Sequence, residues 1–145
     1  MKILAIIPAR SGSKRIAGKN LKMLKDKPLI SWTLNLVEGI QGICDLMVTT
    51  DSSEIADISS RYGALVPWLR PKELSGDEAT SVDTVLHALD WYESNVQKVD
   101  GVLMLQPTSP FRTRQSIVKS IELFKSQHGH CSVVSVSKSS SHPDW

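Results

Sequence analysis

The chain has 145 residues, 41% of them hydrophobic and 22% charged, with a formal net charge of +2. That is the profile of one ordinary globular domain. No apolar run approaches the ~20 residues of a membrane helix, and Lys2 with five apolar residues is cut by Pro8 too early for a secretory signal. Near-neutral charge argues against long nucleic acid, so neither a nucleic-acid nor a membrane partner is expected.

In chain order, Lys2 to Ile7 is a short isoleucine-rich run that predicts a buried strand. It opens into Pro8-Ala-Arg-Ser-Gly-Ser-Lys-Arg-Ile-Ala-Gly-Lys-Asn20. Gly12 and Gly18 free the backbone to curl, so that its N–H groups can point at one anion. Arg10, Lys14, Arg15 and Lys19 place four cations in ten residues. Residues 1–27 hold eight Lys or Arg and one acid, Asp26, while the rest holds nine bases and fourteen acids. The positive field is therefore focused on one end, which suits a compact polyanion such as a nucleoside triphosphate. The alternative is a solvated basic loop, whose exposed pairs contribute only ~0–1 kcal/mol each. Cations converging on one phosphate contribute ~1.5–3 kcal/mol each. The loop is not an ATPase-type P-loop: five residues separate its glycines, and Asn20 follows Lys19.

Pro28 opens a predicted helix from Leu29 to about Glu38, ended by Gly39 and Gly42. Asp45 to Thr50 predicts the second strand. Asp51 to Glu54 starts the next helix, with Asp51 or Ser52 as its cap and Ile55, Ile58 and Tyr62 inward. Ala64 to Val66 predicts a short third strand. Arg70 to Thr80 has loop character around Pro71 and Gly76. Ser81 caps a long predicted helix to about Val96, with Val82, Val85, Leu86, Leu89 and Tyr92 or Glu93 at inner-face spacing. Gly101 to Leu105 predicts another buried strand. Gln106-Pro-Thr-Ser-Pro-Phe-Arg112 is a second strand-exit loop, stiffened by two prolines. Thr113 or Ser116 begins a helix through Ile117, Ile121 and Phe124 to Gln127, and Ser132 to Val136 predicts the last strand. This alternation argues for an α/β fold with a mostly parallel, doubly wound sheet and helices on both faces. Ligands of such sheets bind beyond the carboxyl ends of the strands, the edge shared by the loops at 8–20, 70–81 and 106–112.

Cys44 and Cys131 sit beside predicted strands and read as small buried hydrophobes. With no Cys-x-x-Cys, they predict a reducing, cytoplasmic setting. His128, His130 and Cys131 lack a second ligand pair and read as a turn rather than a zinc site. For Asp51, capping is favoured over metal binding. The chain stops in a polar tract, Ser137 to Trp145, just after a predicted buried strand, an ending that suggests a fragment.

Four stretches together carry a resemblance: Ile7 to Asn20, Leu69-Arg-Pro-Lys-Glu-Leu74, Leu105-Gln-Pro-Thr-Ser-Pro-Phe-Arg-Thr113 and His142-Pro143. In that order they resemble the motifs of the acylneuraminate cytidylyltransferases, the CMP-sialic acid synthetases. The resemblance implies a Rossmann-like nucleotidyltransferase fold and transfer of CMP from CTP. The acceptor would be the anomeric hydroxyl of a nine-carbon 2-keto sugar acid, with Mg²⁺ as cofactor and pyrophosphate released. It assigns Arg10, Ser13, Lys19 and Asn20 to the triphosphate, with Arg10 and Lys19 stabilising charge in the transition state. Ala9 would offer backbone groups to the cytosine, Arg70 would reach its polar edge, Ser81 would contact the ribose and Gln106 would face the acceptor sugar. Each has an alternative on local grounds: Ser81 as a helix cap, Arg70 as a surface arginine, Gln106 as a loop-stabilising amide. The family's metal-binding aspartates, much of its sugar site and its dimerisation element lie after position 145. The chain is accordingly expected to be the nucleotide-binding portion of a longer, homodimeric enzyme, inactive alone. Two other readings stay open: a non-catalytic nucleotide-binding module, or an enzyme for legionaminic, pseudaminic or 3-deoxy-manno-octulosonic acid.

Overall fold

The computed structural model describes residues 1–13, 15–76 and 78–136. His142-Pro143, Lys14 and the tail from Ser137 lie outside them.

The first strand, β1 (Ile3–Pro8), is the centre of the molecule. Its apolar run is buried on both faces because each face carries its own helices. Ile3, Ala5 and Ile7 pack with Ile30, Leu34, Ile55, Ile117 and Ile121. Leu4 and Ile6, on the other face, pack with Met47, Ala88 and Tyr92. A two-residue hairpin of β2 (Met23–Leu24) and β3 (Lys27–Pro28) follows the first loop. Nothing in the sequence announced it, because its turn uses Lys25 at φ 59 in place of the glycine or asparagine common there. Helix α1 (Leu29–Val37) starts where Pro28 predicts, and its Trp32 donates an indole N–H to the Leu24 carbonyl at 3.1 Å. Strand β4 (Ile43–Thr49) pairs parallel with β1, from Leu4 opposite Asp45 to Pro8 opposite Thr49.

Helix α2 (Ser53–Arg61) is capped by Ser52, whose hydroxyl accepts from the Ile55 amide; Asp51 is therefore not the cap. Ile55 is fully buried, but Tyr62 lies at the helix end and is exposed rather than inward. Helix α3 (Ser81–Asn95) is capped by Thr80 in a capping box with Asp83, so Ser81 is its first helical residue and not the cap. The face of α3 is also rotated from the expected one. Thr84, Ala88 and Tyr92 point inward while Val82 and Leu86 are exposed. Small Thr84 and Ala88 let the helix approach the sheet, and Tyr92 fills the far end, donating its hydroxyl to Asp45. Burial, together with the Asp45 bond, raises the pKa of that phenol.

Strand β5 (Gly101–Met104) pairs parallel with the other side of β1, giving the order β4-β1-β5. Among the described residues it is an edge strand, so it is half-buried rather than buried, and Met104 is exposed. The ring of Phe124 on α4 (Arg114–Ser126) lies where a side chain at 101 would begin, which only glycine permits.

Two expected strands do not form. Leu65 makes a single parallel bridge to Met47 of β4 and Leu69 one to Thr50 just past its end, and Pro67 between them has no N–H for a ladder. Residues 132–136 pair with no strand among the described residues, and Val134 and Val136 are exposed. Cys44 is half-buried on β4 as expected, but Cys131 is exposed because that strand is missing. His128 at φ 53 and Gly129 at φ 74 form the turn that ends α4.

Candidate functional site

The parallel sheet sends its carboxyl edge into one cleft of about 300 Å³, within the usual size of a small-molecule site. Three stretches distant in sequence line it. Arg10, Gly12, Ser13, Lys19 and Asn20 come from the loop after β1; Arg70, Leu74, Gly76, Thr80 and Ser81 from the loop before α3; Gln106, Pro107 and Thr108 from the loop after β5. Among the described lining residues three are cations and none is a carboxylate. The amino end of α3 adds its positive dipole. An anion with several phosphate charges fits this field.

The first loop leaves the sheet at Ala9, whose N–H is donated to the Thr49 carbonyl at 3.0 Å. Ala9 is fully buried and does not line the cleft, so its backbone N–H is committed to the sheet. Ser11 donates its N–H to Asp51 Oδ1 at 2.6 Å and its hydroxyl to Asp51 Oδ2 at 2.8 Å. That N–H, too, is turned away from any anion in the cleft. Asn20 is buried, and its amide donates to the Arg10 carbonyl at 2.9 Å, closing the loop across its base. Gly18 at φ 60 turns the chain into the 3-10 turn Lys19–Leu21, which places Lys19 on the cleft wall. Gly12 does not use a left-handed conformation, and a side chain would find open space there. Arg15 is exposed and off the wall.

Arg70 is the most constrained of the three cations. Only 7% of it is exposed. Its Nε donates to Thr49 Oγ1 at 3.1 Å, its Nη1 to the Leu74 carbonyl at 3.3 Å, and its Nη2 to the Thr49 carbonyl. Burial lowers its pKa and nearby Asp51 counteracts this, while Arg10 lowers it further. It is thus a brace for its own loop rather than a surface arginine. Arg10 reaches across from the opposite wall and donates to the Gly76 carbonyl at 3.1 Å.

Seven of the eight expected residues therefore share one cleft; Ala9 stands behind it. The sequence reading missed Thr80, Thr84 and Gly76 on the wall, and it missed Asp51 as the anchor of Ser11. Thr80 and Thr84, one turn apart at the head of α3, were the available signal. No cluster of three His, Cys, Asp or Glu suited to a metal occurs among the described residues. Both Asp51 oxygens accept from Ser11. None of the described helices is long and apolar enough to cross a membrane.

Comparison with known proteins agrees with this geometry. The cytidylyltransferase family matches residues 4–141. A CMP-N,N'-diacetyllegionaminic acid synthase of Legionella pneumophila is 46% identical over 147 residues, covering all of this chain and 62% of the relative. An N-acylneuraminate cytidylyltransferase of Escherichia coli is 41% identical over 138 residues, covering 95% of this chain and 32% of the relative. A CMP:2-keto-3-deoxy-manno-octonic acid synthetase solved with CTP superposes with a TM-score of 0.74 at 20% identity, over 88% of this chain and 49% of that one. At that identity the likeness concerns the fold. The chain spans less than two thirds of the length of these relatives. With its family match running nearly end to end, the chain belongs to the cytidylyltransferase family.

Proposed function

We propose that this chain is the nucleotide-binding portion of an enzyme that transfers CMP from CTP to the anomeric hydroxyl of a nine-carbon 2-keto sugar acid. The observation that carries the proposal is the convergence of three separate loops on one cationic cleft at the carboxyl edge of a parallel sheet. Arg10, Ser13, Lys19 and Asn20 hold the triphosphate. The sugar hydroxyl attacks the α-phosphorus and pyrophosphate leaves, and Arg10 and Lys19 stabilise the charge that develops on the phosphate oxygens. Arg70 and Ser81, on the opposite wall, face the base and ribose. Gln106 faces the acceptor. Magnesium, which such a transfer uses to neutralise phosphate charge, would draw its ligands from outside the described residues.

The acceptor class rests on relatives named for N-acylneuraminate, N,N'-diacetyllegionaminic acid and, at 36% identity over 124 residues, pseudaminic acid in Campylobacter jejuni. The deciding experiment measures pyrophosphate release from CTP and Mg²⁺ by the whole protein, with N-acetylneuraminate, N,N'-diacetyllegionaminate, pseudaminate and 3-deoxy-manno-octulosonate as acceptors. Release with one nine-carbon acid and not with the eight-carbon acid is the expected result. CTP binding with no release for any acid would favour a non-catalytic nucleotide-binding module. The 145 residues alone should bind CTP weakly and turn over little; a normal enzymic rate from them would overturn that part.

A further inference from the structure

The strand end Thr49-Thr50-Asp51 ties down both walls of the cleft. Thr49 accepts the Ala9 N–H and the Arg70 guanidinium through its carbonyl. The Thr50 carbonyl accepts the Arg70 N–H at 2.6 Å. Asp51, the next residue, takes both donors of Ser11. Among the described residues, the arc from Ser11 to Ala17 makes its hydrogen bonds to the rest of the fold through Ser11. Capping of α2 falls to Ser52, and each Asp51 carboxylate oxygen accepts one bond from Ser11. Asp51 is not among the residues that line the cleft.

We infer that Asp51 is a positioning residue for the phosphate-binding loop. Its carboxylate fixes Ser11 on the strand end and so sets the path of the arc that carries Ser13 and leads to Lys19. This rests on the nucleotide reading above and adds a residue to it. Two bonds from one rigid strand end restrict the loop before ligand arrives, so less freedom is lost on binding. Charge-assisted, two-point acceptance suits that task better than a single neutral bond. The carboxyl is also held in its ionised form. Burial alone would push its pKa up, but the Ser11 amide and hydroxyl, with Arg70 nearby, hold it below the ordinary value.

The test compares affinities for CTP and CMP by titration calorimetry in the intact protein and in Asp51→Ala, Asp51→Asn and Ser11→Ala. The arc's contribution falls on the triphosphate, so Asp51→Ala should weaken CTP about tenfold while CMP changes less than about twofold. Asp51→Asn keeps one carbonyl oxygen for the Ser11 N–H and should recover part of the loss. Ser11→Ala keeps the amide bond and should fall between. Parallel weakening of CTP and CMP would overturn the inference, because a general structural defect does not distinguish them. Unchanged CTP affinity in all three variants would overturn it too. If Asp51→Ala fails to fold, the other two decide by the same ratio. An unaltered protein that binds no CTP would instead remove the nucleotide reading itself.

Discussion

Arg10 and Arg70 face the same cleft from opposite walls, and the fold uses them differently. Arg70 is 7% exposed and spends three donors on Thr49 and Leu74, while Arg10 is half-exposed and reaches Gly76 across the cleft. Two identical side chains lining one cleft thus divide into a strut and a reaching arm, the grip of the proposed function. Removing the strut has the largest expected effect. Arg70→Ala takes the side-chain donors from the Thr49 hydroxyl and the Leu74 carbonyl, and one of two donors from the Thr49 carbonyl, and should cost about 3 kcal/mol. At this chain length that lowers the melting temperature by about 10 °C. Arg70→Lys keeps the charge but not the fork, so it should recover less than half. A melting temperature unchanged in Arg70→Ala would return this residue to a purely ligand-facing role, and loss of CTP preference over other triphosphates would then be its signature.

For Arg10 the expected balance is reversed. Arg10→Ala should weaken CTP binding or turnover in the whole protein by about 1.5–3 kcal/mol, the value of a charged hydrogen bond to phosphate. Its exposed bonds contribute little to stability, so the melting temperature should hold within about 2 °C. Equal losses in both proteins, read as melting temperature and as CTP affinity, would erase the division between strut and grip.

The head of α3 offers a smaller version of the same contrast. Thr80 and Ser81 both line the cleft, but only Thr80 caps the helix. Thr80→Ala should cost about 1 kcal/mol of stability. Ser81→Ala should leave stability unchanged and lower nucleotide affinity, and a stability loss at Ser81 would show that the cap is shared.

These pairs also mark what the sequence could and could not reveal. The cleft was legible because its parts are local signals: a glycine and four cations after an apolar strand, prolines after another, a serine beside a helix start. The alternation of strands and helices then placed those loops on one edge. What stayed hidden depends on contacts between distant residues. Asp51 read as a cap because capping is judged from the next three residues, whereas its partner Ser11 is forty positions away. Arg70 next to a proline has the local look of a surface residue, and only the Thr49 carbonyl beneath it shows otherwise. The segment from Ser132 to Val136 has a strand's pattern, but a strand requires a neighbour to pair with, and pattern alone supplies none. Rotation of α3 by a fraction of a turn has the same origin. Both its faces carry apolar residues, and the close approach allowed by Thr84 and Ala88 chooses between them.

The tie between Asp51 and Ser11 adds a third kind of residue, neither strut nor grip, and the smallest expected effect. Its folded-state carboxyl titrates below its unfolded value. Such a group contributes stability that is fully present above the unfolded pKa, about 3.9, and is lost as the pH falls through the folded one. The difference in urea midpoint between the unaltered protein and Asp51→Asn should therefore be constant from about pH 5 to pH 8 and shrink below about pH 4. Asp51 is partly exposed, so solvent screening keeps that difference small. A difference that instead changed between pH 6 and pH 8 would belong to another group. One that survived undiminished well below pH 3 would mean that the ionised carboxylate is not what holds Ser11, and the loop would have to be fixed by its backbone alone.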